Sequence, residues 1–144
     1  MYEHLSNRVD RVIKLANKIA REYEQEYVGT EHVLLAIVRE GTGLGARILH
    51  ERGLTEDKIK AAVDKLIMAS LEDTWVFGRL PGTPHFKNVV ARAIEEARKL
   101  TSKEVCTEHL LLALLVEKGC VAYEAMKGLG LSAGSVRQDV QRAR

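Results

Sequence analysis

Gly29-Thr30-Glu31-His32-Val33-Leu34-Leu35-Ala36 returns seventy-seven residues later as Cys106-Thr107-Glu108-His109-Leu110-Leu111-Leu112-Ala113. Sliding the chain onto itself at that offset pairs residues 6–67 with 83–144 without a gap and makes 15 of the 62 pairs identical. The identities cluster. Val12, Ala16, Ala20 and Arg21 answer Val89, Ala93, Ala97 and Arg98, while Val28, Glu40, Gly53, Leu54 and Val63 answer Val105, Glu117, Gly130, Leu131 and Val140. Self-similarity at a fixed period over core and turn positions is the mark of a copied structural unit.

Each unit reads as helical. Val9, Val12, Ile13, Ala16, Ile19, Ala20 and Tyr23 recur three or four apart, the apolar stripe of a helix from about Asn7 to Tyr23. Further stripes follow at Val33, Leu34, Ile37 and Val38, at Leu44, Ile48 and Leu49, and at Ile59, Val63, Leu66 and Ile67. Gly41, Gly43 and Gly45 separate the second and third helices; Gly53 suits a left-handed C-cap, and Thr55 is placed to cap the fourth. Pro81, Pro84, Gly78 and Gly82 fall in an aperiodic segment from about Leu71 to Thr83, the expected linker. The reading is an all-α domain over residues 1–144, with repeat one at 6–67, a linker at 68–82 and repeat two at 83–144. The two four-helix repeats are expected to pack about a pseudo-twofold axis.

Composition narrows the function. With 22 basic and 20 acidic residues spread along the chain, no polybasic stripe offers itself to a phosphate backbone, so nucleic acid is not expected as a partner. Charges run through Met1 to Arg11, and no stretch has the apolar length to span a bilayer, so the expected setting is cytoplasmic, without a membrane partner. Cys106 and Cys120 make no disulfide framework and are expected as reduced thiols.

The repeated triplet has structural explanations first. Thr30 and Thr107 stand where a hydroxyl caps the helix that follows, and Glu31 and Glu108 sit in the first turn, favourable to the helix dipole. His32 and His109 point about 100° away from their neighbouring glutamates and are expected as buried, hydrogen-bonded residues rather than acid-base partners. Yet a cap needs no Glu-His pair, so the triplet is over-specified for capping alone. Cys106 and His109 are spaced to share a helix face as metal ligands, but repeat one carries Gly29 at the cysteine position, and no metal site is expected. The glycine string lacks the Gly-Lys-Ser/Thr ending of a phosphate loop, and no serine stands in a nucleophile elbow, so neither catalysis nor a cofactor is expected. Trp75, Val76 and Phe77 form an apolar cluster in the linker, expected to pack between the repeats, with exposure to a partner protein as the alternative.

Taken together, the opening Met1-Tyr2-Glu3-His4-Leu5-Ser6-Asn7-Arg8, the run Gly29 to Leu35, Arg39-Glu40-Gly41-Thr42-Gly43 and the pair Thr83-Pro84 resemble the double N-terminal repeat of Clp ATPases, particularly the ClpC type. The resemblance covers essentially the whole chain. It implies a non-enzymatic domain that receives protein substrates and adaptor proteins, reaching a ClpP-type peptidase only through a parent ATPase; no Walker motif lies in this chain. Members of that type also bind phosphorylated arginine. Glu31 and Glu108 match the family's acidic residues for the guanidinium, and Ser6 and Thr83 match its threonines for the phosphate, so each repeat is expected to hold one site. Thr30, His32, Thr107 and His109 are expected to support those sites. Repeat two departs from the family pattern at Cys106 for Gly, at His85 for Arg, and at Glu117-Lys118-Gly119-Cys120 in place of the glycine-rich turn. The rival expectation is a free-standing adaptor or regulator of the same fold that docks partners without phosphoarginine.

Overall fold

The structure is a computed structural model that describes residues 5–24, 28–74 and 84–143. Among these residues the chain forms helices α1 (Asn7–Glu22), α2 (Thr30–Glu40), α3 (Leu44–Glu51), α4 (Glu56–Thr74), α5 (Pro84–Lys99), α6 (Thr107–Val116), α7 (Val121–Gly128) and α8 (Ala133–Ala143). No strand occurs among them beyond an isolated parallel bridge between Leu5 and Val105. The two four-helix repeats expected from the sequence are present. One boundary differs: α4 runs on to Thr74, through much of the segment assigned to the linker. Leu71 to Thr74 continue an established helix, and adding residues to a formed helix is far easier than nucleating one, so weak local periodicity does not end it. The Trp75, Val76 and Phe77 cluster lies outside the described residues.

The local signals act as their chemistry dictates. Ser6 caps α1, its Oγ accepting from the Val9 N–H at 3.2 Å. Gly53 adopts φ +76°, a left-handed conformation that suits glycine. Thr55 Oγ1 accepts from the Lys58 N–H at 3.4 Å at the start of α4.

The amphipathic helix α1 buries Val9, Val12, Ala16 and Ile19 against α2, and α5 packs in the same way on α6. Helices α2 and α6 are central. Every residue from Thr30 to Ile37 and from Thr107 to Leu115 is buried, including the polar triplets. A helix buried on all faces cannot show the one-sided stripe of a surface helix. Each repeat also reaches into the other: α3 packs on α6 and α4 on α7, so the two units share one core.

The triplet threonines join that seam, and here the sequence reading is corrected. Thr30 and Thr107 are not the N-caps of their own helices; Gly29 and Cys106 hold those positions. Thr107 Oγ1 accepts instead from the Gly45 N–H of α3 at 3.0 Å, and Thr30 Oγ1 accepts from the Ala122 N–H of α7 at 3.3 Å. Each threonine thus caps the third helix of the opposite repeat, satisfying an orphan donor in the first turn. The approach also explains the glycine string. A Cβ on Gly43 would collide with Thr107 Oγ1, and one on Gly45 would lie 2.9 Å from the Thr107 carbonyl oxygen.

Thr107→Val keeps the volume but strands the buried Gly45 N–H, so urea denaturation is expected to show a loss of about 1 to 3 kcal/mol. Thr30→Val is expected to cost less, because its bond is longer. Thr107→Ser retains the acceptor and is expected to recover most of the loss; equal losses for Val and Ser would exclude the cross-repeat cap.

Candidate functional site

The helix N-termini carrying the triplets are built alike. His32, at the third position of α2, accepts the Gly29 N–H on Nδ1 at 2.9 Å, and His109 accepts the Cys106 N–H on Nδ1 at 2.8 Å. Both rings are fully buried, so the expectation of structural histidines holds, and their role is now specific: each folds back to satisfy the N-cap donor. An imidazole accepting on Nδ1 carries its neutral-state proton on Nε2. Cys106, Glu108 and His109 place potential ligand atoms within 4.8 Å of one another. The accepting lone pair of His109 is already committed to the Cys106 N–H, which favours a cap over a metal centre.

Glu31 and Glu108 lie in the first turns of α2 and α6, only 2% and 5% exposed. Tyr23 packs edge-on against His32 with ring centroids 5.8 Å apart, and its hydroxyl donates to Asp64 Oδ1 at 2.7 Å. Burial and the Asp64 carboxylate push the Tyr23 phenol well above its ordinary range. Cys120, buried at the N-cap of α7, accepts from the Tyr123 N–H at 3.4 Å, and burial raises its thiol, as befits a packing residue.

The expected pairing of Ser6 with Glu31 inside repeat one does not survive the geometry. The C-terminal end of α1 meets the start of α2 through Tyr23 and His32, while its start meets the end of α2, where Arg8 Nε donates to Thr42 Oγ1 at 3.1 Å. The helices are antiparallel. Ser6 and the α2 N-terminus are therefore separated by the 16 residues of α1, about 24 Å. Ser6 instead donates its N–H to the Val105 carbonyl at 2.9 Å, next to the approach to α6. Glu108 follows Val105 by three positions, at most about 11 Å of chain. The structure thus brings Ser6 towards Glu108, across the seam. Thr83, its counterpart, lies outside the described residues.

Two glutamates not singled out from the sequence organise the far ends of α2 and α6. Glu117, 5% exposed, accepts from Asn88 Nδ2 and Arg92 Nε at 2.9 Å each and pairs with His85 Nδ1 at 2.7 Å. Glu40 accepts from the Thr42 N–H at 3.0 Å and faces Arg11 Nε at 3.5 Å. Their sequence signal is identity between the copies. Burial pushes the Glu117 carboxyl up, but the bonds from Asn88, His85 and Arg92 outweigh it and hold the group below its ordinary value. The Glu40 carboxyl is lowered against burial in the same way, by Thr42 and Arg11.

The class defined by this architecture is a duplicated all-helical domain, with eight helices among the described residues, whose two copies interlock by exchanging helix caps. The sequence pattern described as the Clp repeat (R) N-terminal domain matches residues 4–115 and again 82–143, and the chain belongs to that family. The negative regulator of genetic competence ClpC/MecB of Bacillus subtilis is 37% identical over 140 residues, covering 97% of this chain and 17% of that protein. The chloroplastic chaperone protein ClpC1 of Arabidopsis thaliana is 35% identical over 142 residues, covering 99% of this chain and 15% of that protein. The chain therefore spans about a sixth of the length of these curated relatives. In fold it is similar to the N-terminal domain of the chaperone ClpD from Arabidopsis thaliana, with a TM-score of 0.77, 22% identity, and coverage of 94% of this chain and 91% of that one. Among the described residues no helix is long and apolar enough to cross a membrane.

A depressed carboxyl stabilises the fold above its unfolded-state value, here 4.5, and loses that contribution as the pH falls through the lower folded-state value. Glu117→Gln is therefore expected to lower stability at neutral pH and, in denaturation followed by circular dichroism, to show a flatter decline below pH 4.5 than the parent. A variant with an unchanged acid limb would remove Glu117 as its source.

Proposed function

We propose that this domain captures proteins for a Clp-type unfolding ATPase, receiving substrates and adaptors in a cytoplasmic or equivalent compartment and contributing no catalysis of its own. A ClpP-type peptidase is reached through the parent ATPase alone. Membership of the Clp N-terminal family supports this reading, together with an all-helical scaffold that presents helix N-termini.

Within that role we assign phosphoarginine-marked proteins as ligands, with Glu31 and Glu108 as guanidinium acceptors and Ser6 and Thr83 as phosphate contacts. The observation that carries the grouping is the Ser6 N–H bond to Val105, which puts the hydroxyl of repeat one on the approach to Glu108 of repeat two. One site is therefore Ser6 with Glu108, and its symmetry mate is Thr83 with Glu31. Ser6 Oγ accepts from Val9 and keeps its own proton to donate to a phosphate, at the positive end of α1. A guanidinium meets a carboxylate in paired, charge-assisted bonds, which gives Glu a role that no neutral residue supplies. Thr30, Thr107, His32 and His109 support both sites by fixing the first turns of α2 and α6.

Calorimetry with free phosphoarginine tests the grouping. The parent chain is expected to bind two equivalents, Ser6→Ala with Glu108→Ala to bind one, and Glu31→Ala with Glu108→Ala to bind none. Loss of both sites in the Ser6→Ala, Glu108→Ala chain would return the pairing to within each repeat. Undiminished binding in the Glu31→Ala, Glu108→Ala chain would exclude the ligand assignment and leave an adaptor-docking domain.

A further inference from the structure

The duplication supplies an internal control, because any surface feature present in one repeat can be compared with the same place in the other. In repeat one, Arg39 at the end of α2 is clamped by Glu22 Oε1 and Glu56 Oε2, each at 3.0 Å, closing the space between α2 and the start of α4. The equivalent positions in repeat two are Val116, Lys99 and Ala133. The arginine and both carboxylates are gone. Beside two of these positions, Val116 and Ala133, a groove of about 420 Å³ opens between the ends of α6 and α7 and the start of α8.

Its walls include Val116, Leu131 and Ala133, with Tyr123 at one side and Lys118 and Lys127 on the rim. Both lysines are exposed, and among the described residues neither has a carboxylate within 4.0 Å. A volume of this size is in the range that encloses a few side chains of a ligand. Apolar walls with an unneutralised basic rim select by both desolvation and charge. The rim excludes a cationic or uniformly apolar occupant as the best fit.

We propose that this repeat-two groove docks a linear protein segment whose apolar anchor residue fills the space over Val116, Leu131 and Ala133 while flanking carboxylates pair with Lys118 and Lys127. The surface lies at the far end of α6 from Glu108, so it is separate from the Ser6 and Glu108 site and stands without it. It gives the two repeats different partners: at the matched positions of repeat one, Arg39 bridges Glu22 and Glu56 and presents an ion-paired surface instead. The asymmetry rests on three substitutions at matched positions, Arg39 to Val116, Glu56 to Ala133 and Glu22 to Lys99.

Random twelve-residue peptides displayed on phage, selected on the 144-residue chain and counter-selected on a Val116→Arg, Ala133→Glu chain, test this. That double variant transplants the Arg39 and Glu56 clamp. Selected peptides are expected to carry a large apolar residue beside Asp or Glu. As fluorescein conjugates in anisotropy titrations they are expected to bind the clamped variant undetectably and Lys118→Glu, Lys127→Glu about tenfold more weakly. Replacing their acidic residues with lysine is expected to restore binding to the charge-reversed chain and to abolish it on the parent. The exposed lysine pair carries the test if the clamped variant fails to fold by circular dichroism. Several results overturn the proposal: no enrichment, equal binding to parent and clamped chains, indifference to the lysine reversal, or displacement of the peptides by free phosphoarginine. A dimer of the parent chain in sedimentation that the clamp abolishes also overturns it, assigning the groove to a second copy.

Discussion

Two hydrogen bonds hold the key constraint of this fold: Thr107 to the Gly45 N–H and Thr30 to the Ala122 N–H. Each removes an unsatisfied donor from a helix terminus buried in the seam, where water cannot serve instead. Because each acceptor belongs to the opposite repeat, neither four-helix unit can complete its third helix alone. The shared core and the close approach at Gly43 and Gly45 follow from the same exchange, and Arg52 with Asp139 at 2.7 Å ties the outer edges of α3 and α8. The threonine of the repeated triplet is thus an assembly residue, the histidine closes its own helix N-terminus, and the glutamate is the member whose chemistry suits a ligand.

The exchange also determines what can be neighbours at the surface. Antiparallel packing of α1 on α2 sends the start of α1 away from the triplet of its own repeat, and the Ser6 to Val105 bond delivers it to the other one. A composite arrangement of this kind makes ligand binding sensitive to how the repeats sit against each other, whereas a site inside one repeat would not be.

Divergence between the copies is informative where the scaffold is the same. Glu40 and Glu117 keep one task, anchoring the first helix of their repeat, with different donors: Arg11 and Thr42 in one, His85, Asn88 and Arg92 in the other. Gly45 and Ala122 both donate to a threonine, and the tighter contact goes with the smaller residue. Arg39 and Val116 differ in kind, since a clamped ion pair and an apolar wall present different surfaces to a partner.

The sequence by itself determined the duplication, the helical periods of repeat one, carried to repeat two by the offset, and the burial of the histidines, because these depend on local strings and their spacing. It also carried the family resemblance, since the triplets and glycine turn are local strings. It misplaced the end of α4, where helix propagation overrides a weak local pattern, and it gave each threonine to the wrong helix. A hydroxyl beside a helix start satisfies the local capping rule whichever helix it serves, so only tertiary structure could assign Thr30 and Thr107 to α7 and α3. The same holds for Ser6 and for the groove over Val116. Which residues meet across the seam depends on the direction in which α1 packs on α2, and that direction is set by the core as a whole.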